Sequence, residues 1–140
     1  MHTVQNVTGR LVEVRVATPL TLEEVQQFVG EHQAAIGRIP GRYVGVVDLL
    51  HADVFPADAA QRLIQLLSVM AERVERSAFL IGESALFSLQ IERVIRNAAS
   101  SNRKAFRDPA ELSRWLGEIL TPAEQSRLDQ FLDHRGEKIG

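Results

Sequence analysis

The chain reads as an α/β domain: a mixed, mostly parallel sheet of four to five strands with crossover helices, plus a C-terminal helix. Three observations predict it. YVGVVDLL (43–50) and AFLIG (78–82) are nearly all apolar without alternation, the composition of strands covered on both faces. GRLVEVRV (9–16) instead sets Val12, Val14 and Val16 against Glu13 and Arg15, the period of two of a half-exposed strand. Segments of helical spacing separate these runs, and strands alternating with helices imply parallel neighbours joined by right-handed crossovers.

Each element has its own signal. TVQNVT (3–8) can pair with the 9–16 strand as a short edge strand. TLEE (21–24) has the form of a capping box, in which Thr21 accepts from the amide of Glu24 and Glu24 reaches back. Leu22, Val25, Phe28, Val29 and Ile36 share one helical face, and IPG (39–41) stops that helix. A second helix is expected from about Asp58 to Val74, burying Leu63, Leu67, Met70 and Val74. Ser84 is an N-cap for a third, carrying Phe87, Ile91, Val94, Ile95 and Ala98. RKAF (103–106) is a short last strand. DPAE (108–111) supplies cap, first-position proline and acid together, and Leu112, Trp115, Leu116, Ile119 and Leu120 follow at helical spacing. TPAE (121–124) repeats the signal for a terminal helix anchored by Leu128, Phe131 and Leu132.

The totals bound the function. A chain of 140 residues fits one domain and buries about 70% of its unfolded surface, enough for a real core. A net charge of −2 gives no global pull toward nucleic acid, and no nucleic-acid partner is expected. The absence of cysteine removes disulfides, thiolate catalysis and cysteine-based zinc sites. MHTVQNVTGR lacks a charged region followed by an apolar run, and no stretch approaches transmembrane length. A cytoplasmic protein without membrane insertion is the expectation.

The order of elements, with the junction VVDLLHADVFPADAAQRL (46–63), resembles the STAS-like domains, specifically the bacterial SpoIIAA-like group related to anti-sigma-factor antagonists. RNAASSNRKAFRDPAELSRWL (96–116) is similar to that group's ending: a helix, an Arg-x-x-Phe strand, then a helix entered by an acid and closed by Trp-Leu. The resemblance covers roughly 9–120. It implies residues 1–120 as the STAS-like domain, with 121–140 a helix and tail belonging to the same domain or to a dimer contact. In the phosphorylatable antagonists, an LDLS strand leads to an IDSxGL turn whose serine is phosphorylated. Val47-Asp48-Leu49 matches the strand, but Pro56 falls where the acid belongs, Ala57 where the serine belongs, and Ala59 replaces the glycine. Alanine has no oxygen to carry a phosphoryl group, so the switch is absent at its usual place.

The residues that could carry chemistry have plainer explanations. Asp48, His51 and Asp53 have the donor types of a zinc or iron site, but no further ligand stands near them in sequence. A strand-end acid with a solvated loop accounts for them, so no metal and no cofactor are expected. Asp48 also sits where a receiver domain keeps its phosphoacceptor, with Lys104 in the lysine's place. A receiver needs an acidic pair after its first strand, and here that strand ends in VATPL. The histidines at 2, 32, 51 and 134 are scattered, and no catalytic residue is assigned; His32 lies on the first amphipathic helix as a partly buried or boundary residue. Arg93, Arg96, Arg103, Lys104 and Arg107, five of the chain's 16 basic residues, form a stretch without an acid. This is a candidate anion patch, or a solvated helix face and edge strand. GES (82–84), just beyond a central strand, is a weaker anion candidate because Glu83 repels a phosphate.

Asp53, Phe55, Pro56, Ala57 and Asp58 lie in the loop after a central strand, where they should stand at the rim of the sheet as a partner-binding surface. Phe55 is either a rigid anchor there or a lid folded over the core. The function implied is a non-enzymatic regulatory or protein-interaction module of STAS-like type, not switched by serine phosphorylation at the usual position. A protein partner is expected, and a homodimer is open. The alternatives are a small-ligand or anion-binding sensor domain using the sheet–helix rim, and an uncharacterised enzyme using Asp48 and His51.

Overall fold

The computed structural model describes residues 1–98 and 101–139. Residues 99 and 100, within the 96–116 stretch, and residue 140, at the end of the tail, lie outside the described residues. The elements run β1 (His2–Gln5), β2 (Leu11–Ala17), α1 (Leu22–Gly37), β3 (Tyr43–His51), α2 (Ala57–Val69), β4 (Val74–Leu80), α3 (Ala85–Asn97), β5 (Arg103–Phe106), α4 (Pro109–Gly117) and α5 (Pro122–Asp133). The strands form one sheet in sequence order, β1 antiparallel to β2 and the rest parallel. The expected mixed, mostly parallel sheet is the one that forms.

Register turns the sequence alternation into two faces. On one, Val14, Val47, Phe79 and Ala105 align across β2 to β5, and Val12, Gly45, Ser77 and Arg103 form a parallel row. This face packs against α1, α2 and α3 through Val25, Phe28, Ile36, Leu66, Phe87 and Ile91. On the other, Arg15, Asp48, Leu80 and Phe106 align, beside a row of Glu13, Val46, Ala78 and Lys104. That face packs against α4 and α5 through Leu112, Leu116, Leu128, Phe131 and Leu132. Covering both faces explains why β3 carries so few polar residues. Gly45 is required by close approach: a Cβ there would lie 2.8 Å from the Ser77 hydroxyl and 3.5 Å from the Tyr43 ring.

Three local expectations change. The second helix ends at Val69, and Val74 opens β4 rather than closing α2. Glu75 and Arg76, between the expected helix and the expected strand at 78–82, belong to the strand, where Glu75 takes Arg10 at 2.8 Å and Arg76 takes Glu118 at 2.6 Å. At α1, Thr21 accepts from the Glu24 amide at 3.1 Å, but the box is half made. The Glu24 carboxylate goes instead to the N-terminal ammonium at 2.8 Å and to His2 Nδ1 at 2.9 Å. At α5 the box is complete, with Glu124 accepting from the Thr121 amide at 2.9 Å while its own amide donates to Thr121 Oγ1 at 3.2 Å. Lastly, β1 stops at Gln5, because Asn6 turns the chain by donating to the carbonyls of Gly9 and Leu11, both at 2.9 Å.

Candidate functional site

The carboxyl ends of β2, β3 and β4 open onto a rim made by the loops 18–21, 52–56 and 81–84. Asp53 ties the first two together: its amide donates to Thr18 Oγ1 at 3.2 Å. Gln90, on α3, then clamps Phe55 from both sides, its Oε1 accepting from the Phe55 amide at 2.7 Å and its Nε2 donating to the Phe55 carbonyl at 2.8 Å. The clamp turns the ring inward. Phe55 is 3% exposed and meets Phe87 edge-on, with ring centroids 5.2 Å apart. Phe55 is therefore a lid over the core and not a surface anchor. A loop aromatic can reach the interior here because the loop crosses the open end of the sheet. Asp53, Pro56, Ala57 and Asp58 do stand exposed at the rim, and Ala57 is the first residue of α2.

Val54 lies in this loop, and sequence reasoning passed over Leu86 and Leu89 on the helix that follows β4. Val54, Leu86 and Leu89 are exposed apolar residues, Leu86 by 72%. Val54 and Pro56 also wall a groove with Thr18, Pro19, Leu20 and Thr21. The available signal was their misfit to helical spacing: Leu86 and Leu89 fall off the buried stripe of Phe87, Ile91 and Val94.

Asp48, His51 and Asp53 do not converge. Asp48 faces α5, where its carboxylate pairs with Arg15 and accepts the Gly136 amide at 2.9 Å and the Leu50 amide at 2.9 Å. His51 bonds through Nε2 to the Gly136 carbonyl, while Asp53 belongs to the rim. Among the described residues no cluster of three or more histidines and acids is placed to hold a metal ion.

The basic stretch is also divided. Arg93, Arg96, Lys104 and Arg107 are exposed, but Lys104 leans over Phe106 on the α4 face, 5.3 Å from the ring centre. Arg103 points the opposite way and is only 5% exposed. A patch using all five is excluded by strand alternation.

An interior cavity of about 60 Å³ lies between the sheet and α1, α2 and α3, and Arg103 stands behind its wall, donating to the carbonyl of the lining residue Leu67 at 2.6 Å. Most of the lining is apolar, including Phe28, Val47, Leu63, Phe79 and Ile91, with Phe55 among the wall residues. His2, His32, Tyr43 and Ser77 are its polar lining residues. Phe28, His32 and Tyr43 contact one another in series, the first pair tilted with centroids 5.4 Å apart and the second edge-on at 5.7 Å. Burial, helped by the Arg103 charge, lowers the His32 pKa to about 4, so the ring is neutral at pH 7. Burial likewise pushes the Tyr43 phenol up, with Arg103 opposing, and pulls Arg103 down, with Tyr43 opposing.

The α4/α5 face handles charge differently. Arg127 grips Glu13 with two bonds, Nε to Oε2 at 2.7 Å and Nη2 to Oε1 at 2.8 Å. Arg15 lies 4.1 Å above the Phe131 ring while it pairs with Asp48. Burial pushes the Glu124 carboxyl up, but the amides of Arg10 and Thr121 and the Arg10 guanidinium outweigh it and hold it below the usual range.

No family model matches the chain, and no curated protein matches its sequence. Solved structures do match in three dimensions. An uncharacterised protein of the DUF3478 family, with a SpoIIAA-like fold, from Shewanella loihica PV-4 superposes with a TM-score of 0.63 at 17% identity. The match covers 83% of this chain and 92% of that one. The fold is SpoIIAA-like. The anti-sigma factor antagonist SpoIIAA in its unphosphorylated form also superposes, with a TM-score of 0.57 at 13% identity, over 86% of this chain and 100% of that one. In this SpoIIAA-like chain no residue from 51 to 60 carries a hydroxyl. Among the described residues no helix is long and apolar enough to cross a membrane.

Proposed function

We propose that the protein is a non-enzymatic regulatory module of STAS type, working in the cytoplasm by protein–protein contact at the carboxyl-end rim. The observation that carries this reading is the exposed apolar margin there: Val54, Pro56 and Ala57 beside the groove walled by Thr18 to Thr21, with Leu86 and Leu89 on the adjoining helix. Exposed apolar side chains gathered at one edge are the surface a partner covers. The SpoIIAA-like fold supports it, since one solved relative is by name an anti-sigma factor antagonist. The contact is not switched by serine phosphorylation, because the acceptor position holds Ala57. Asp48, the best-placed acid, is engaged by Arg15 and is not free to act as a base. Residues 121–140 belong to the same unit as 1–120, a reading supported by Leu128, Phe131 and Leu132 packing beneath the sheet.

The test is affinity capture from the native cell with wild type, Val54→Glu and Phe55→Ala. Wild type is expected to retain a stoichiometric partner, and Val54→Glu to lose it while melting normally. Phe55→Ala is expected to cost about 3–5 kcal/mol of stability, as truncating a buried phenylalanine does. Equal capture by wild type and Val54→Glu, or a modified residue mapped between 51 and 60, would remove this reading.

A further inference from the structure

The rim at the carboxyl ends of the strands carries charge of one sign. Glu23, Asp53, Asp58 and Glu83 are exposed around it: Glu23 lies in the first turn of α1 beside Thr21, Asp53 and Asp58 bracket Val54 to Ala57, and Glu83 leads into α3. Ser84 donates to Asp53 Oδ1 at 3.4 Å, which brings the loop of Asp53 against that of Glu83. Among the described residues none of the four carboxylates has a salt-bridge partner. No lysine or arginine occurs in 18–23, 52–58 or 81–86. Arg107, beyond the end of β5, is turned to Ser88 Oγ at 3.0 Å. The chain as a whole is nearly balanced, with 18 acids against 16 lysines and arginines, so the one-sidedness belongs to this edge.

Apolar side chains stand among these charges. Val54 and Pro56 wall the groove with Thr18 to Thr21, and Leu86 and Leu89, three residues apart on α3, form an exposed ridge. A partner that covers them also takes carboxylates out of water, which costs free energy unless a cation meets them. That condition selects among occupants. A second copy docked by the same patch would bring this acidic edge against itself. Nucleic acid and anionic lipid are repelled. An uncharged surface leaves the carboxylates unmet, whereas a cationic one satisfies them.

We infer that the rim docks a cationic amphipathic helix of a partner protein, its apolar side chains against Val54, Pro56, Leu86 and Leu89 and its lysines or arginines facing the surrounding carboxylates. This rests on the reading of the rim as a protein-contact surface and adds the chemistry of the partner. A helix suits the place because a leucine pair at i and i+3 offers a ridge that a second helix packs against, and helix-in-groove contacts anchor by that spacing. Charges at the margin of an interface govern encounter and selectivity more than affinity, so the acids choose the sign of the partner while the apolar side chains hold it.

The probes are two peptides of about 14 residues, roughly four helical turns, with the same amphipathic leucine spacing and either lysine or glutamate at all remaining positions. Each is titrated into the purified full chain at low salt, read by fluorescence anisotropy and by NMR amide shifts. The lysine peptide is expected to bind about tenfold or more tightly than the glutamate peptide, to shift the amides of Val54, Leu86 and Leu89, and to weaken as salt is raised. Glu83→Lys should cut that preference about fivefold. Glu72→Lys, the same change at an exposed position before β4 and so at the opposite end of the sheet, should leave it as it is. Equal binding of the two peptides, a stronger glutamate peptide or equal loss in both variants would overturn the charge assignment. Binding of neither peptide, shifts confined to residues away from the rim, or self-association that shifts the rim amides would overturn the helix as occupant. A native partner retained by wild type and lost in Val54→Glu, alongside any of these failures, keeps the rim as a contact surface and removes only this inference.

Discussion

The two faces of the sheet bury ionised groups under opposite regimes. Beneath α4 and α5, the carboxylates of Glu13, Asp48 and Glu124 each meet an arginine. Beneath α1, α2 and α3, Arg103 and the neutral His32 keep buried nitrogens without a hydrogen-bond partner among the described residues, and His32 lines a cavity. The paired face holds the molecule together across its length, joining β2 to the last helix. The unpaired face forgoes that completeness and keeps room. Removing a member of a satisfied pair strands its partner, whereas removing an unsatisfied charge relieves a cost. That asymmetry can be broken experimentally.

The largest effect is expected on the paired side. Asp48→Ala strips Arg15 of its counter-charge and the Leu50 and Gly136 amides of their acceptor, and should cost about 3–5 kcal/mol in urea unfolding. A cost under about 1 kcal/mol would mean that this face is not what holds the sheet to α5.

Next comes the pH response of the cavity side. His32 has a pKa of about 4 when folded and 6.5 as the ordinary value. Between those pH values the unfolded chain takes up a proton that the folded chain refuses. Stability contributed here is complete above pH 6.5 and is lost as pH falls toward 4, by about 3 kcal/mol in total. His32→Phe should flatten that part of the stability–pH curve, measured by denaturant midpoints from pH 7 to 4. An unchanged slope would assign the acid sensitivity elsewhere.

Arg103→Met sharpens the contrast most. It removes a buried charge but leaves the Leu67 carbonyl without its donor, so the protein should change by less than about 1 kcal/mol or gain stability. A loss as large as that of Asp48→Ala would erase the distinction between the faces. The smallest effects belong to the exposed members of the basic stretch. Arg93→Ala and Arg96→Ala should each stay within about 0.5 kcal/mol by thermal melt, and a larger loss would give these side chains a structural role.

Much of this was legible from the amino acids alone. The two unbroken apolar runs marked the strands that both layers cover, and the caps at Ser84, Asp108 and Thr121 each accept from a backbone amide as expected. The start of β4 was not legible, because Glu75 and Arg76 are held by ion pairs with residues distant in sequence. Phe55 was ambiguous for a similar reason. Its direction is decided by Gln90, 35 residues onward, and a loop residue has no periodicity to read. Arg103 and Lys104 look alike in a basic run, and only knowing which neighbour β5 pairs with separates the inward from the outward one. His32 was the nearest miss: its spacing from Phe28 and Ile36 already put it on the buried face of α1, but no spacing foretells an unmet nitrogen.

The strands lie in the sheet in the order in which they leave the ribosome, so each newcomer finds its neighbour already in place. The side beneath α4 and α5 breaks that rule. Arg10 and Glu13 must wait for Glu124 and Arg127, each 114 residues downstream. A nascent chain halted before Thr121 holds every strand and the helices α1 to α4, yet presents bare Leu11 and an unaccompanied Glu13 to the cell. Helix α5 neutralises and covers, in one step, a strand that precedes it by more than a hundred residues.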